Sequence, residues 1–496
     1  GNRYSRTRAE GGTDGGTIMI QWKQTVCSLL GSVLLLSSLP LSVWAEGPVT
    51  EEDDWVVDDI TLEVQEDGTA WIKNCFQSAT SVEVPAEVDG VKITGIKEGA
   101  FSECFLLQSL TLPDTITTIQ DSAFYGCSVL TSLRIPDSVT TFGNGTLEAC
   151  TALTDVQLPN HLETLPTGTF YGCTALETIT LPESLTTIGQ ESFHQCTALK
   201  EIDFPAQLQS METYAFEGCS ALETIEIPAS CTTVGDFVFE GCTALQEIQV
   251  ADGNPNYQDQ DGILFNADGS VLIKYPDAHK QVDYVVPDGC TRLEDWSFTG
   301  ATSLKSIDMQ NITELGEDVF FYCQSLQSVT IPECITELPN NTFAYCTELT
   351  SVTLPSKLTK IGDYCFYTCV RLPEITIPET VKQIGKQAFY NCLELKQLTL
   401  PSGIEELGDG AFGLYAEAED ETPSVVKDFS VTYGSNSKIK KYVSQYDIPA
   451  EVTEGSRSSW VLPVCIGGGV VFVAAAVVII VVRKKRKTGS GKGGTA

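Results

Sequence analysis

Cysteine returns every 23 residues along most of this chain. It stands at 104, 127, 150, 173, 196, 219 and 242, and again at 323, 346, 369 and 392. Phenylalanine keeps step, as in Phe124-Tyr125-Gly126-Cys127 and Phe170-Tyr171-Gly172-Cys173. A fixed period of this size marks a stack of small like units, so the 496 residues do not imply several globular domains. From Cys173 the unit reads Leu176, Ile179 and Leu181, then Pro182, Leu185, Ile188 and Gly189, then Phe193 and Cys196. Leu-x-x-Ile-x-Leu alternates at its end and predicts a short strand with two inward residues. Proline ends pairing because it has no N–H. The glycine is expected at a turn that needs positive φ. One unit cannot bury these side chains alone. Stacking makes one continuous core, with strands of successive units in a parallel sheet about 4.8 Å apart.

The pattern Cys-x-x-Leu-x-x-Ile-x-Leu-Pro-x-x-Leu-x-x-Ile-Gly-x-x-x-Phe resembles the BspA-type leucine-rich repeat over about residues 98 to 415. The resemblance implies a repeat solenoid with its parallel β-sheet on a concave face. It also implies a surface adhesin that contacts host matrix proteins or other cells. Repeats are expected at 98–251 and 285–415. The stretch 252–284 resembles a longer unit of the same family. There Asp261-Gly262-Ile263-Leu264-Phe265-Asn266 turns through Ala267-Asp268-Gly269 into Val271-Leu272-Ile273, which predicts a hairpin projecting from the solenoid. Residues 46–97 are expected to hold an N-terminal cap. Residues 416–448 are expected to form a C-terminal cap, with helical character from Ser437 to Gln445.

The two ends predict an address. Lys23 precedes an apolar run from Val26 to Leu41, and Val43-Trp44-Ala45 offers a small-x-small cleavage site. Residues 19–45 therefore read as a secretory signal peptide, with 1–18 an upstream extension before Met19. Val461 to Val482 is 22 residues without a charge. At ~1.5 Å per residue that crosses a ~30 Å hydrocarbon core. Arg483-Lys484-Lys485-Arg486-Lys487 follows, so 461–482 reads as one C-terminal transmembrane helix and 483–496 as a basic cytoplasmic tail. Residues 449–460 are the expected stalk. The chain is thus expected at the cell membrane, single-pass, with its N-terminal ectodomain outside.

The formal net charge is −36, and it is unevenly placed. Ten basic and two acidic residues lie outside 46–460, which leaves 20 basic and 64 acidic residues inside it, a net of −44. Such a surface repels phosphate backbones and excludes nucleic acid as a partner. No Gly-x-Ser-x-Gly elbow, phosphate loop or His-Glu-x-x-His motif occurs, so no enzyme, catalytic residue, cofactor or metal site is predicted. His161, His194 and His279 are expected as exposed imidazoles. Eighteen cysteines in a secreted chain invite disulfides. One cysteine per coil at a fixed inward position predicts a ladder of free thiols instead, because neighbouring side chains point the same way. Cys365 with Cys369, and Cys231, Cys290 and Cys334 off the ladder, are the expected exceptions. Asp259-x-Asp261-Gly262 matches part of a calcium loop but lacks the other ligands, so a hairpin turn is predicted.

Side chains between the inward strand residues face out. They give a Ser/Thr ladder that includes Thr178, Thr180, Thr224, Thr330 and Thr353, with an acidic centre at Glu201, Asp203, Glu226 and Glu247. This face is the candidate binding surface, because solenoids bind proteins on broad sheet faces. Phe265 and Tyr275 of the hairpin are the second candidate contact. The expected partner is an extracellular protein, a host matrix or cell-surface protein, with no small-molecule cofactor. The rival readings are a structural coat without a ligand and a protein that binds or processes surface glycans. The outward strand positions hold no aromatic ring on which a sugar would stack, which weighs against the glycan reading.

Overall fold

The computed structural model describes residues 55–416 and 422–453. The expected signal peptide, transmembrane segment and basic tail lie outside these residues. Among the described residues no helix is long and apolar enough to cross a membrane.

Each regular coil has three sides, and each side bonds to the next coil. The first is the strand seen in the sequence. Ser132–Arg134 pairs in parallel with Asp155–Gln157, and Thr224–Ile227 with Glu247–Val250. Asp283–Val285, Ser306–Asp308, Ser328–Thr330 and Ser351–Thr353 form a further parallel run. The second side is the apolar pass after the proline, and it is also a parallel ladder. Thr164–Leu165, Thr187–Ile188, Ser210–Met211 and Thr233–Val234 are successive rungs. Sequence reading missed it as a strand because two residues are too few for alternation to show. The third side is the Phe-to-Cys turn, where Phe170 N donates to Ser192 O and Phe193 N to Ala215 O, each at 2.8 Å.

The turns hold the rings and thiols of the core. Phe170, Phe193 and Phe216 stack with centroids 5.3 and 5.1 Å apart, and Phe320, Phe343, Phe366 and Phe389 continue the column at 5.3, 5.3 and 5.0 Å. The cysteines are more than small hydrophobes. Most ladder thiols donate to the carbonyl of the ring residue one coil back: Cys196 to Phe170 and Cys219 to Phe193 at 3.1 Å, Cys346 to Phe320 and Cys369 to Phe343 at 3.2 Å, while Cys173 donates to Leu147 O, which stands in the ring position of its coil, at 3.2 Å. Burial pushes Cys173 and Cys392 up to about 12, and Cys196, Cys219 and Cys242 well above the ordinary thiol value. All sixteen described cysteines are free, including Cys231, Cys290, Cys365 and Cys369, and only Cys334 is exposed.

The Ile-Gly glycine does a different job from the expected one. Gly189 is not in the left-handed region. A Cβ there would stand 2.6 Å from Leu165 O on the preceding coil. Gly143, Gly235, Gly362 and Gly385 meet the same obstacle at 2.4 to 2.6 Å. The position is glycine because two coils touch there. Positive φ falls at the turn instead, at Gly172 (φ 70°) and Gly218 (φ 74°) and, without glycine, at Gln195 (φ 59°) and Tyr345 (φ 63°).

Both ends of the stack are covered. An antiparallel run of Trp55–Val57, Ile60–Val64 and Ala70–Cys75 joins Val91–Ile96 in parallel. At the other end Ser430–Tyr433 adds to Gln397–Leu400, and Ala450–Val452 adds to Ser430–Tyr433, so the sheet runs into the first residues of the expected stalk. Between these last strands lies the helix Ser437–Gln445. The Asn436 carboxamide oxygen caps it by accepting from Lys438 N and Ile439 N, and Ile439, Tyr442 and Val443 are buried.

The long coil does not carry a projecting hairpin. Tyr257–Gln260, Ile263–Asn266 and Val271–Lys274 form an antiparallel meander, and Val271–Leu272 pairs with Arg292–Leu293 in the second ladder. Asp261 (φ 56°) and Gly262 (φ 79°) make the two-residue turn, both left-handed as a type I′ turn requires. Ile263, Leu264 and Phe265 are fully buried. Leu264 joins the N-terminal core cluster, whereas Ile263 and Phe265 join the C-terminal one, so the meander lies where the two clusters part.

Two outcomes test this packing. Ellman titration of the native protein should find Cys334 as the one rapidly reacting thiol among the sixteen described, with the rest appearing only on denaturation. Gly189→Ala should lower stability by about 1–3 kcal/mol, read as a lower urea midpoint, because the added methyl must push one coil from the next.

Candidate functional site

The outward strand positions are where the sequence placed them. Thr178, Thr180, Glu201, Asp203, Thr224, Glu226, Thr330 and Thr353 are all exposed. Thr180 and Asp203 are bridged across adjacent coils. Glu247 is half-buried, since its side chain lies against Gly262 of the hairpin turn and pairs with Lys280 at 3.6 Å.

The strands of this side fall into several short parallel sheets, and one of the breaks is at the long coil. Glu247–Val250 ends one run and Asp283–Val285 begins the next. At the break is an open groove of about 640 Å³, lined by Glu226, Glu247, Asp252, Asp259 and Asp261, with Lys280 opposite in charge and His279 beside it. Five carboxylates meet one lysine, and an exposed pair such as Lys280–Glu247 offsets little of that charge. Sequence reading placed the acidic centre on the strands but missed the groove. The missing signal was the split in the sheet, which depends on where the hairpin turn comes to rest.

The hairpin aromatics require a correction. Phe265 and Tyr275 are both fully buried and cannot serve as surface contacts. Tyr275 is the ring of the long coil in the phenylalanine column, 4.9 Å from Phe298, and its hydroxyl donates to Gln281 O. The histidines also differ from expectation. His161 is exposed, but His194 stacks on Tyr171 at 4.4 Å and lies 3.2 Å from Glu217. His279 is buried, with Nε2 2.9 Å from Asp261 O and Nδ1 accepting from Gln281 N at 3.3 Å. It therefore pins the hairpin turn to the groove floor. Asp259 accepts from Val250 N at 2.9 Å and Gly262 N at 3.4 Å, which uses its carboxylate in the turn. Among the described residues no group of three or more His, Cys, Asp or Glu side chains is placed to hold a metal ion.

On the turn side of the long coil the core carries charge. Lys274 donates to Asp277 and to Thr299 O, both at 2.9 Å, and the side chains are 10% and 1% exposed. Asp318 lies on the same turn side two coils on, and is itself buried. Burial pushes its carboxyl up to about 7, with Glu317 and Asp295 adding to the rise and a hydrogen bond from Asn341 opposing it.

Aromatic residues line the turn side, away from the strand face: Tyr171, Tyr214, Phe237, Trp296, Phe321 and Tyr345 are half-buried. Their faces are largely taken by one another. Tyr214 stacks on Phe237 at 5.1 Å, and Tyr322 on Tyr345 at 4.5 Å. A ring face stacked on a neighbour in this way is not free to stack on a sugar.

A model of the BspA type leucine-rich repeat region matches residues 72–183, 163–260, 277–372 and 339–448. The chain belongs to the BspA-type leucine-rich-repeat family. Among solved structures, this BspA-type solenoid is similar to a leucine-rich cell surface protein from Faecalibacterium prausnitzii A2-165, with 28% identity and a TM-score of 0.61, over 75% of this chain and 96% of that one. It is also similar to a leucine-rich repeat protein from Bacteroides ovatus ATCC 8483, with 25% identity and a TM-score of 0.55, over 81% of this chain and 99% of that one. No curated protein sequence matches the chain significantly.

The Asp318 carboxyl sets a pH test of the BspA-type core. Its folded value stands above the ordinary 3.8, so the folded state holds a proton that the unfolded chain releases. This contribution is complete below about pH 4 and is lost as pH rises to about 7. Asp318→Asn, which suits the left-handed backbone there (φ 56°), should therefore leave stability at pH 4 unchanged. At pH 8 it should raise stability by on the order of 2 kcal/mol in urea unfolding.

Proposed function

We propose that this protein is a membrane-anchored cell-surface receptor or adhesin that recognises an extracellular protein through the acidic part of its strand face. The observation that carries this is the groove at the split in the sheet, where five carboxylates, Glu226 among them, add to the exposed Glu201 and Asp203 of the neighbouring coil. The solenoid supplies a rigid scaffold, and the break in its regularity supplies a place unlike the rest of the surface. The similar Faecalibacterium prausnitzii protein is a cell surface protein, which supports the same location here. The uncharged run 461–482 and the basic residues after it support a single-pass anchor with the repeats outside.

A partner for this face is a protein with a basic patch, such as a host matrix or cell-surface protein. Saturable binding of residues 46–460 to such a partner is expected, weakening as salt rises toward 1 M because the charges are exposed. The triple change Glu201→Lys, Asp203→Lys and Glu226→Lys should weaken binding by at least about tenfold, chiefly by slowing association. Binding untouched by these changes, or no saturable binding to any basic matrix or cell-surface protein, would favour a passive coat.

A further inference from the structure

The hydrogen bonds across the groove show what the hairpin turn has displaced. Phe239 to Tyr275 is one coil of 36 residues, so Glu247 and Gln249 correspond to Asp283 and Val285. In an uninterrupted ladder these strands would be neighbours. The near lip is instead satisfied by the hairpin: Ile248 N donates to Gly262 O at 2.8 Å and Val250 N to the Asp259 carboxylate at 2.9 Å. The far lip is not. Ser306 N donates to Val282 O at 3.2 Å, and Val286 N donates to Asp308 O at 2.9 Å, so residues 282 and 286 face the following strand. A parallel ladder alternates its bonding direction. Asp283 and Val285 must then turn their N–H and C=O groups the other way, toward the long coil, just past Lys280 and Gln281 of the groove lining. Among the described residues no strand pairs with that edge.

The side chain at this lip also breaks the pattern. Val285 takes the outward position held by Glu226, Gln249 and Asp308 in other coils. It is 67% exposed, the highest value of any large apolar side chain described. An open strand edge, a lone apolar side chain above it and a wall of carboxylates across from it ask for one kind of occupant.

We infer that the Asp283–Val285 edge is a docking strand for an extended basic peptide segment of the partner protein. The segment adds its backbone to the open edge, sets an apolar residue on Val285, and directs lysine or arginine side chains at Glu226, Glu247 and Asp261. Main-chain bonds give such strand addition its affinity, and alternate side chains give it selectivity. The inference rests on the acidic-surface reading above and names the partner's local form.

The test uses the full-length protein in detergent and fluorescent octapeptides. One alternates lysine and valine, one alternates glutamate and valine, and one is the lysine peptide N-methylated at every second residue, with the same charge. The lysine peptide should bind saturably and the glutamate peptide should not. N-methylation should weaken binding at least about tenfold, because it removes backbone donors without touching charge. Val285→Pro, which removes the groove-facing N–H, should weaken the lysine peptide to a similar degree. Equal binding of the two lysine peptides to the unaltered protein overturns the docking strand, whether or not the proline variant folds. So does failure of the lysine peptide to bind while the protein partner still depends on Glu201, Asp203 and Glu226. Loss of that dependence would instead overturn the acidic-surface reading itself.

Discussion

Everything in this solenoid depends on the contact between one Phe-to-Cys turn and the next. The ring of a coil has no cover on its far side until the following ring stacks on it, about 5 Å away as in Phe193 and Phe216. The carbonyl of the same residue faces inward, where an unpaired acceptor is costly. The thiol of the following coil answers it, as Cys219 does for Phe193. Ring, carbonyl and thiol are thus completed by a neighbour and never within the coil. This makes stability a property of adjacent pairs. It also explains the covers at the two ends, where Tyr442 of the C-terminal helix donates to Phe412 O at 3.0 Å and its ring lies 4.4 Å from that of Phe412.

The same contact explains why cysteine, and no other small residue, recurs. Alanine would fill the space and leave the carbonyl with one donor fewer. Serine would bond, but would bring a strongly hydrated hydroxyl into the core. A thiol is apolar enough to bury and still donates weakly. Exceptions fall beside the long coil, where Ala278, three residues after Tyr275, and Ala301, three after Phe298, take the thiol position. There the core accepts a lysine and an aspartate instead, with Lys274 bonded to Thr299 O on the next turn. A buried ion pair adds little net stability, and removing one partner is costly because the other stays buried. At the seam between the two core clusters these polar bonds are added to the packing of Ile263, Leu264 and Phe265, where the rest of the stack relies on rings and thiols.

Much of this was legible in the residues. The period of 23 gave the stack, the alternation at Ile179 and Leu181 gave the first ladder, and the outward threonines and acids followed from it. Asp261-Gly262 and Ala267-Asp268-Gly269 marked the two turns of the meander, because turn chemistry is local. What failed was whatever depends on a neighbouring coil. Gly189 looked like a turn residue, and only the carbonyl of Leu165 in the coil before it shows why no side chain fits. Phe265 and Tyr275 looked like surface rings on an outgrowth. Tyr275 keeps the register of the phenylalanine column once the 36-residue step is counted, and a hairpin drawn as projecting hid that register. His279 looked solvated because its partners, Asp261 and Tyr275, are distant along the chain or belong to the same misplaced hairpin.

The groove follows from the arithmetic of inserting residues into a three-sided coil. The added strands continue the second ladder through Leu272 and Leu293, and the turn side through Tyr275 N and Ser297 O at 2.8 Å. They supply nothing to the first side except the tip of a turn. A two-residue turn presents few backbone groups, and here it satisfies Ile248 while leaving the strand beyond it with an open edge. Open edges are liabilities that proteins usually charge or cover. Here the covering is charge, five carboxylates around the opening, which deters another copy of this acidic chain while leaving the edge attractive to a cationic strand. The feature that keeps the protein from pairing with itself is thus the one that selects what it can pair with.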